Sequence, residues 1–137
     1  MKIYRAIRAS YYWTKSLEMA SKKDYMAAKN YLEKYKNFSN YSYAALLLKG
    51  FIHCSLQEYE SSKESILVAI EKIKASIKLN IDEKKYLTAY AYNVLNKSNS
   101  DAGGGDEPIP VDMNFNLDNV HESHKKNFRF LGVSGDL

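Results

Sequence analysis

Through its first hundred residues the chain places apolar residues at intervals of three and four. Tyr25, Ala28, Leu32 and Tyr35 form one such series, widened by Ala27 and Tyr31. Tyr59, Ile66, Ala69, Ile70, Ile73 and Ile77 form another. With 3.6 residues per turn, this spacing gathers the apolar side chains on one helical face. Gly50 is the only glycine before position 100 and no proline occurs there, so the strongest helix breakers are nearly absent. The pattern predicts helices over 3–22, 24–37, 41–56, 59–79 and 82–97. Asp24, Ser39 or Asn40, and Asp82 stand where N-caps are wanted. Connections this short require antiparallel neighbours, so the expected fold is all-α: about five helices in antiparallel hairpins, occupying residues 1–97.

The pattern then changes. Residues 98–110, SNSDAGGGDEPIP, have the composition of a flexible Gly/Ser/Pro linker with a reach of about 20 Å. Beyond it Val111, Met113, Phe115 and Leu117 alternate with Asp112, Asn114, Asn116 and Asp118, and Asn127 to Phe130 alternate again. A period of two predicts an extended or hairpin-like, non-helical tail over 111–137 with one sticky face. The stretch VHESHKK between them reads as a loop or a helical turn. A lone two-stranded hairpin is marginal in water, so such a tail has to dock or stay mobile.

The helical part also repeats at a longer interval. KKDYMAAKNYLEKY from Lys22 aligns with LQEYESSKESILVA from Leu56 at an offset of 34 residues. Tyr12 then matches Leu46, Ser16 matches Gly50, Met19 matches His53, Ala28 matches Ser62, Leu32 matches Ile66 and Tyr35 matches Ala69. Large and small sites alternate, the small ones falling where two helices cross closely. In this the chain resembles the tetratricopeptide repeat family, with one unit at about 9–42 and a better one at 43–76. Ser16 stands in place of the usual glycine, Tyr35 in place of a small residue, and neither unit ends in proline. Leu87, Ala91 and Val94 would then belong to a lone capping helix, which covers an apolar end that would otherwise stay open.

The resemblance implies a groove lined by Ser10, Trp13, Leu17, Ala20 and Ser21, then Ala44, Leu47, Phe51, Cys54 and Ser55, that binds a peptide segment. Trp13, Leu17, Leu47 and Phe51 are its expected apolar anchors; if the helices close into a bundle, the same residues are core. Some members of the family grip a C-terminal carboxylate, but at the aligned positions Trp13, Leu17, Leu48, Lys78 and Asp82 only Lys78 suits that task.

Charge divides the chain at the same boundary. Residues 1–100 hold 17 Lys+Arg against 9 Asp+Glu, and residues 101–137 hold 3 against 7. The net +4 of the whole chain therefore describes neither part. Complementary charge suggests that the acidic tail docks on the basic helices, in cis or in trans, setting Phe115, Leu117, Phe128 or Phe130 against Trp13 and Phe51.

Candidate chemistry is sparse. His53 and Cys54 are adjacent, so on a helix they diverge by about 100° and make no nucleophile–base pair. His121 and His124, with Asp118 and Glu122 nearby, have the spacing of two metal ligands but lack a scaffold, so no metal and no cofactor are expected. No enzyme activity is expected. One cysteine makes no internal disulfide, and no signal core or membrane-length apolar run occurs; the expected location is cytoplasmic. Two function classes follow. The first is a non-enzymatic protein–protein interaction module (adaptor, chaperone or immunity-type) whose groove its own tail occupies or a partner segment fills. The second is a basic nucleic-acid-associated helical protein, suggested by nine Lys+Arg among the aromatics of residues 1–38.

Overall fold

A computed structural model describes residues 2–103 and 107–128. Its elements are α1 (Lys2–Ser21), α2 (Tyr25–Lys36), α3 (Tyr43–Ser55), α4 (Tyr59–Ala75), α5 (Ile81–Asp101), a 3-10 turn at Leu117–Asn119 and α6 (Glu122–Phe128). Among the described residues there is no strand, so the fold is all-α. Helix α1 packs chiefly on α2, and α3 on α4, forming two antiparallel hairpins; α5 closes the far end against α4 and α3. No helix among the described residues is long and apolar enough to cross a membrane.

The two hairpins share one turn geometry. At the end of α1, Lys23 adopts φ 65°, its N–H bonds Ala20 O at 3.0 Å, and the Asp24 N–H reaches back to Met19 O at 2.9 Å. At the end of α3, Gln57 adopts φ 65°, its N–H bonds Cys54 O at 3.1 Å, and the Glu58 N–H bonds His53 O at 2.8 Å. Each is a Schellman cap, which satisfies the last helical carbonyls through one left-handed residue. The left-handed residue is glycine in neither case, so both turns carry backbone strain. Asp24 then caps α2 by accepting from Ala27 N at 3.2 Å. Its counterpart Glu58 makes no cap bond and turns instead toward Lys29 and His53.

The hairpins also cross alike. In the first, the buried Ser16 hydroxyl donates to Ala28 O at 2.8 Å; in the second, the buried Ser62 hydroxyl donates to Gly50 O at 2.7 Å. The serine has changed helix between the two, but each crossing keeps one hydroxyl bonded to the facing backbone. A Cβ added at Gly50 would overlap the fully buried Ile66 side chain, which would have to shift within the packed core. Ser62 also lies 3.0 Å from Ser98 of α5, so this polar contact ties α3, α4 and α5 together within the core.

Several boundaries differ from expectation for local reasons. Helix α4 ends at Ala75, because Ser76 turns extended and its hydroxyl accepts from Lys78 N at 3.2 Å; Ile77 is left 97% exposed. Helix α3 is capped by Ser42 rather than Ser39 or Asn40. Helix α5 is capped by Asn80, in a capping box with Glu83, which frees Asp82 for the tail. It also continues through Ser98 to Asp101, into the stretch whose composition reads as linker. The tail departs most. Residues 111–116 are irregular; of the two alternatives for VHESHKK the helical turn forms, and it runs on as α6 through Asn127 and Phe128, which the alternation places in extended chain. Among the described residues no strand offers a ladder to the alternating segment, and its backbone bonds Lys85 and Asp82 of α5 instead.

These crossings predict that Gly50→Ala destabilises by about 1–3 kcal/mol, overpacking outweighing the roughly 1 kcal/mol of helix propensity gained. Gln57→Gly should stabilise by roughly 0.5–1 kcal/mol through relief of the left-handed strain. Urea unfolding followed by circular dichroism measures both; a stabilising Gly50→Ala or a destabilising Gln57→Gly contradicts this packing.

Candidate functional site

The most elaborate assembly outside the hairpin crossings is the tail's path over α5. Asn96 bonds the backbone of Ile109 twice, accepting from its N–H at 2.8 Å and donating to its carbonyl at 2.9 Å. The chain then descends along α5. Lys85 donates to Asn114 O, and Phe115 meets the Tyr86 ring edge-on at 5.7 Å. At the N-terminal end of α5, Asp82 accepts from Asn116 N at 3.0 Å and Asn119 Nδ2 at 2.7 Å, while Asn80 donates to Asn119 O at 2.7 Å. The 3-10 turn reverses the direction, and α6 runs back until Phe128, fully buried, lies against Tyr90 at 5.0 Å. Val120 and Phe128 belong to the same core cluster as Leu47, Phe51 and Leu87.

Of the expected docking residues, Phe128 is buried, Phe115 packs against the core, Leu117 stays 37% exposed, and Phe130 lies outside the described residues. The tail aromatics contact Tyr86 and Tyr90 of α5, where Trp13 and Phe51 were expected. The reason is polar. Asn80, Asp82, Glu83 and Asn96 hold the tail backbone on α5, and the aromatics bury where that register places them.

The expected groove anchors divide into two groups. Leu47 has no exposed surface, Phe51 is 8% exposed with Tyr25 edge-on at 5.9 Å, and Cys54 is buried; all three are core. Trp13 and Leu17 are partly buried at its margin. Trp13, with Tyr35 6.1 Å away, lines a hollow of about 480 Å³ shared by Ala6, Ala9 and Ser10 of α1 with Ala44 of α3. Asn127 of α6 forms another part of its wall. The structure thus brings Trp13, Ala44 and the tail helix to one cavity and leaves Leu47 and Phe51 behind it. Of the positions aligned with the carboxylate-gripping set, Leu48 is fully buried and Asp82 is bound to the tail.

Histidines mark both junctions. His53 Nδ1 lies 2.9 Å from Glu58 Oε1, and Lys29 of α2 bonds the same carboxylate at 3.1 Å, joining the first hairpin to the second. Burial lowers the His53 pKa despite Glu58, so the ring favours its neutral form. The bond from His53, then that from Lys29, keeps Glu58 below its ordinary value. Burial pushes the Cys54 thiol up, away from the reactive thiolate. At the tail, His124 Nε2 lies 3.2 Å from Glu83 Oε2 and His121 N donates to the same oxygen at 3.1 Å. His121 Nδ1 faces Ser123, so the two imidazoles serve different partners. Among the described residues no group of three His, Cys, Asp or Glu side chains converges as metal ligands would.

The chain matches no protein-family model, no curated protein and no solved structure.

Burial lowers the His124 pKa more than Glu83 raises it. Burial works to raise the Glu83 carboxyl, but the N–H groups of Asn80 and His121 hold it lower. Tyr43 packs near His124 at 6.3 Å, and burial raises its pKa, keeping it neutral across this range. Both shifted groups bind fewer protons docked than free, so stability falls as pH falls. The loss begins below about 6.5 for His124 and steepens below about 4.5 as Glu83 protonates. Protection of the α6 amides, taken as exchange of the full chain relative to the free 111–128 peptide at the same pH, should fall between pH 7 and 5, and His124→Gln should remove the upper part of that dependence. The Tyr90 hydroxyl is buried with no hydrogen-bond partner among the described residues. Tyr90→Phe should therefore raise stability by about 1 kcal/mol in a denaturant titration, whereas a hydroxyl with a hidden partner would make it fall.

Proposed function

We propose that this chain is a non-enzymatic protein–protein interaction module of helical-repeat type, similar to tetratricopeptide repeat proteins, in which the tail competes with a partner. The partner segment enters beside Trp13 and takes the place of α6. One observation carries the reading. A short helix of the chain itself already lies on α5, beside a hollow bounded by α1 and α3, with one aromatic anchor fully buried. A surface that receives α6 has the shape and polarity to receive another amphipathic segment, the helix-in-groove mode of recognition.

Tethering makes the tail a strong competitor, because linkage gives it an effective concentration on the order of millimolar. A partner therefore has to exceed the tail's affinity or arrive when acid has weakened it. Trp13, Leu17 and Ala44 provide the apolar floor in this reading, and the lysine-rich first hairpin favours approach of acidic partners. Adaptor, chaperone and immunity-type roles fit such a device equally. The cytoplasm is the proposed compartment, since a single buried thiol suits a reducing environment.

The test uses the full chain carrying Phe128→Asp, which drives the tail from its seat. A labelled peptide of residues 111–128 should bind this variant saturably and alter the emission of Trp13, the only tryptophan, while the unaltered chain binds at least about tenfold more weakly. Equal binding to both chains would contradict the proposal.

A further inference from the structure

The outer face of the first hairpin carries a second surface, which shares no lining residue with the Trp13 hollow. Along α1, Ile3, Ile7 and Tyr11 follow one another at intervals of four and remain 77%, 63% and 49% exposed, with Tyr4 beside them. Isolated exposed apolar residues are ordinary, but a continuous stripe on one helix marks a contact surface. Between α1 and α2 the stripe borders a hollow of about 520 Å³ lined by Ile7, Arg8, Tyr11, Tyr12, Tyr31 and Lys34.

Cations rim this surface, and the protein holds them in place through aromatic rings. Arg8 lies 5.3 Å from the Tyr4 ring centre and its Nε donates to the Tyr4 hydroxyl at 3.0 Å. Lys34 lies over Tyr31 at 5.6 Å and Tyr12 at 6.0 Å, and Arg5 over Phe38 at 5.9 Å. Among the described residues no carboxylate pairs with Arg5, Arg8 or Lys34, although most other ion pairs of the molecule join near neighbours on a helix. Cation–π contacts position a charge without neutralising it, so these groups stay available to an anion.

We propose that this face docks an acidic amphipathic helix: an apolar side chain fills the hollow, its neighbours one turn away lie on Ile3 and Ile7, and its carboxylates meet Arg8 and Lys34. Three other occupants fit less well. A second copy of the same face would bring Arg5, Arg8 and Lys34 against their own kind. A nucleic acid has no use for exposed isoleucines, and the ring faces its bases would need are partly taken, Tyr12 by Phe38 at 5.7 Å and Tyr4 and Tyr31 by cations. A flat anionic membrane would leave the hollow unfilled. A helix matches both the spacing of the stripe and the cavity beside it.

The test is fluorescence anisotropy on the full chain with four probes: a labelled peptide of about five helical turns with leucine and phenylalanine on one face and glutamate on the other, a scrambled peptide of the same composition, an oligothymidylate, and phosphatidylcholine–phosphatidylserine vesicles. The amphipathic peptide should bind saturably and at least about tenfold tighter than its scramble. Ile7→Asp should weaken it about tenfold, and Arg8→Glu with Lys34→Glu should weaken it and flatten its salt dependence. Ile7→Ala provides the same comparison if Ile7→Asp fails to fold by circular dichroism. Carried on the Phe128→Asp chain, Ile7→Ala should leave binding of the 111–128 peptide unchanged, which separates this surface from the tail groove. Equal binding of the scramble, unaltered affinity in the Ile7 and Arg8/Lys34 variants, absence of binding, or tighter binding of the oligothymidylate or vesicles would each overturn the proposal.

Discussion

The architecture depends on how closely two helices approach within each hairpin. At both crossings a small residue meets a serine, and the hydroxyl satisfies a buried carbonyl of the facing helix: Ser16 to Ala28 in one, Ser62 to Gly50 in the other. A larger side chain would separate the backbones, and an unbonded hydroxyl would cost about as much as the contact contributes. Because Ser62 also meets Ser98, the second crossing fixes α5, and α5 is the surface on which the tail is built. Crossing, capping helix and tail thus form one dependent series.

Polar and apolar contacts divide the work in the tail. Asn96, Asp82, Asn80 and Glu83 hold its backbone in a single register, and Phe115, Val120 and Phe128 provide the burial. A helix as short as α6 has little stability alone, so its order is borrowed from α5 and α3. Such an element is suited to exchange. It is held by one buried aromatic beside a Tyr90 hydroxyl that has no hydrogen-bond partner among the described residues, and by a half-buried His124 whose burial disfavours the charge it gains in acid. In the proposed role, these are the features a displacing partner exploits.

Much of the fold was legible in the sequence because helical periodicity and the 34-residue echo are local signals. The turns at Lys23 and Gln57, their bonds and the paired crossings all recur at that offset. Boundaries were less legible where side chains chose between partners. Asp82 looked like the cap of α5, but Asn80 with Glu83 makes the better box and releases Asp82 for the tail. The period of two at Val111–Leu117 signalled extended chain without saying what it would lie on. The tail's seat was the least legible part. Tyr86 and Tyr90, four residues apart, add two aromatics along the edge of the Leu87, Ala91 and Val94 stripe, and this was the signal available. Leu47 and Phe51 had the right spacing for a groove, but their exposure was set by tertiary packing that spacing does not encode.

Amide hydrogen exchange of α6 in the full chain tests the central claim most directly. If α6 is held on α5 by Phe128, Glu83 and their neighbours, its amides exchange at least about tenfold more slowly than those of the free 111–128 peptide, and Phe128→Asp abolishes the difference. Equal, unprotected rates in chain and peptide at neutral pH would contradict the account.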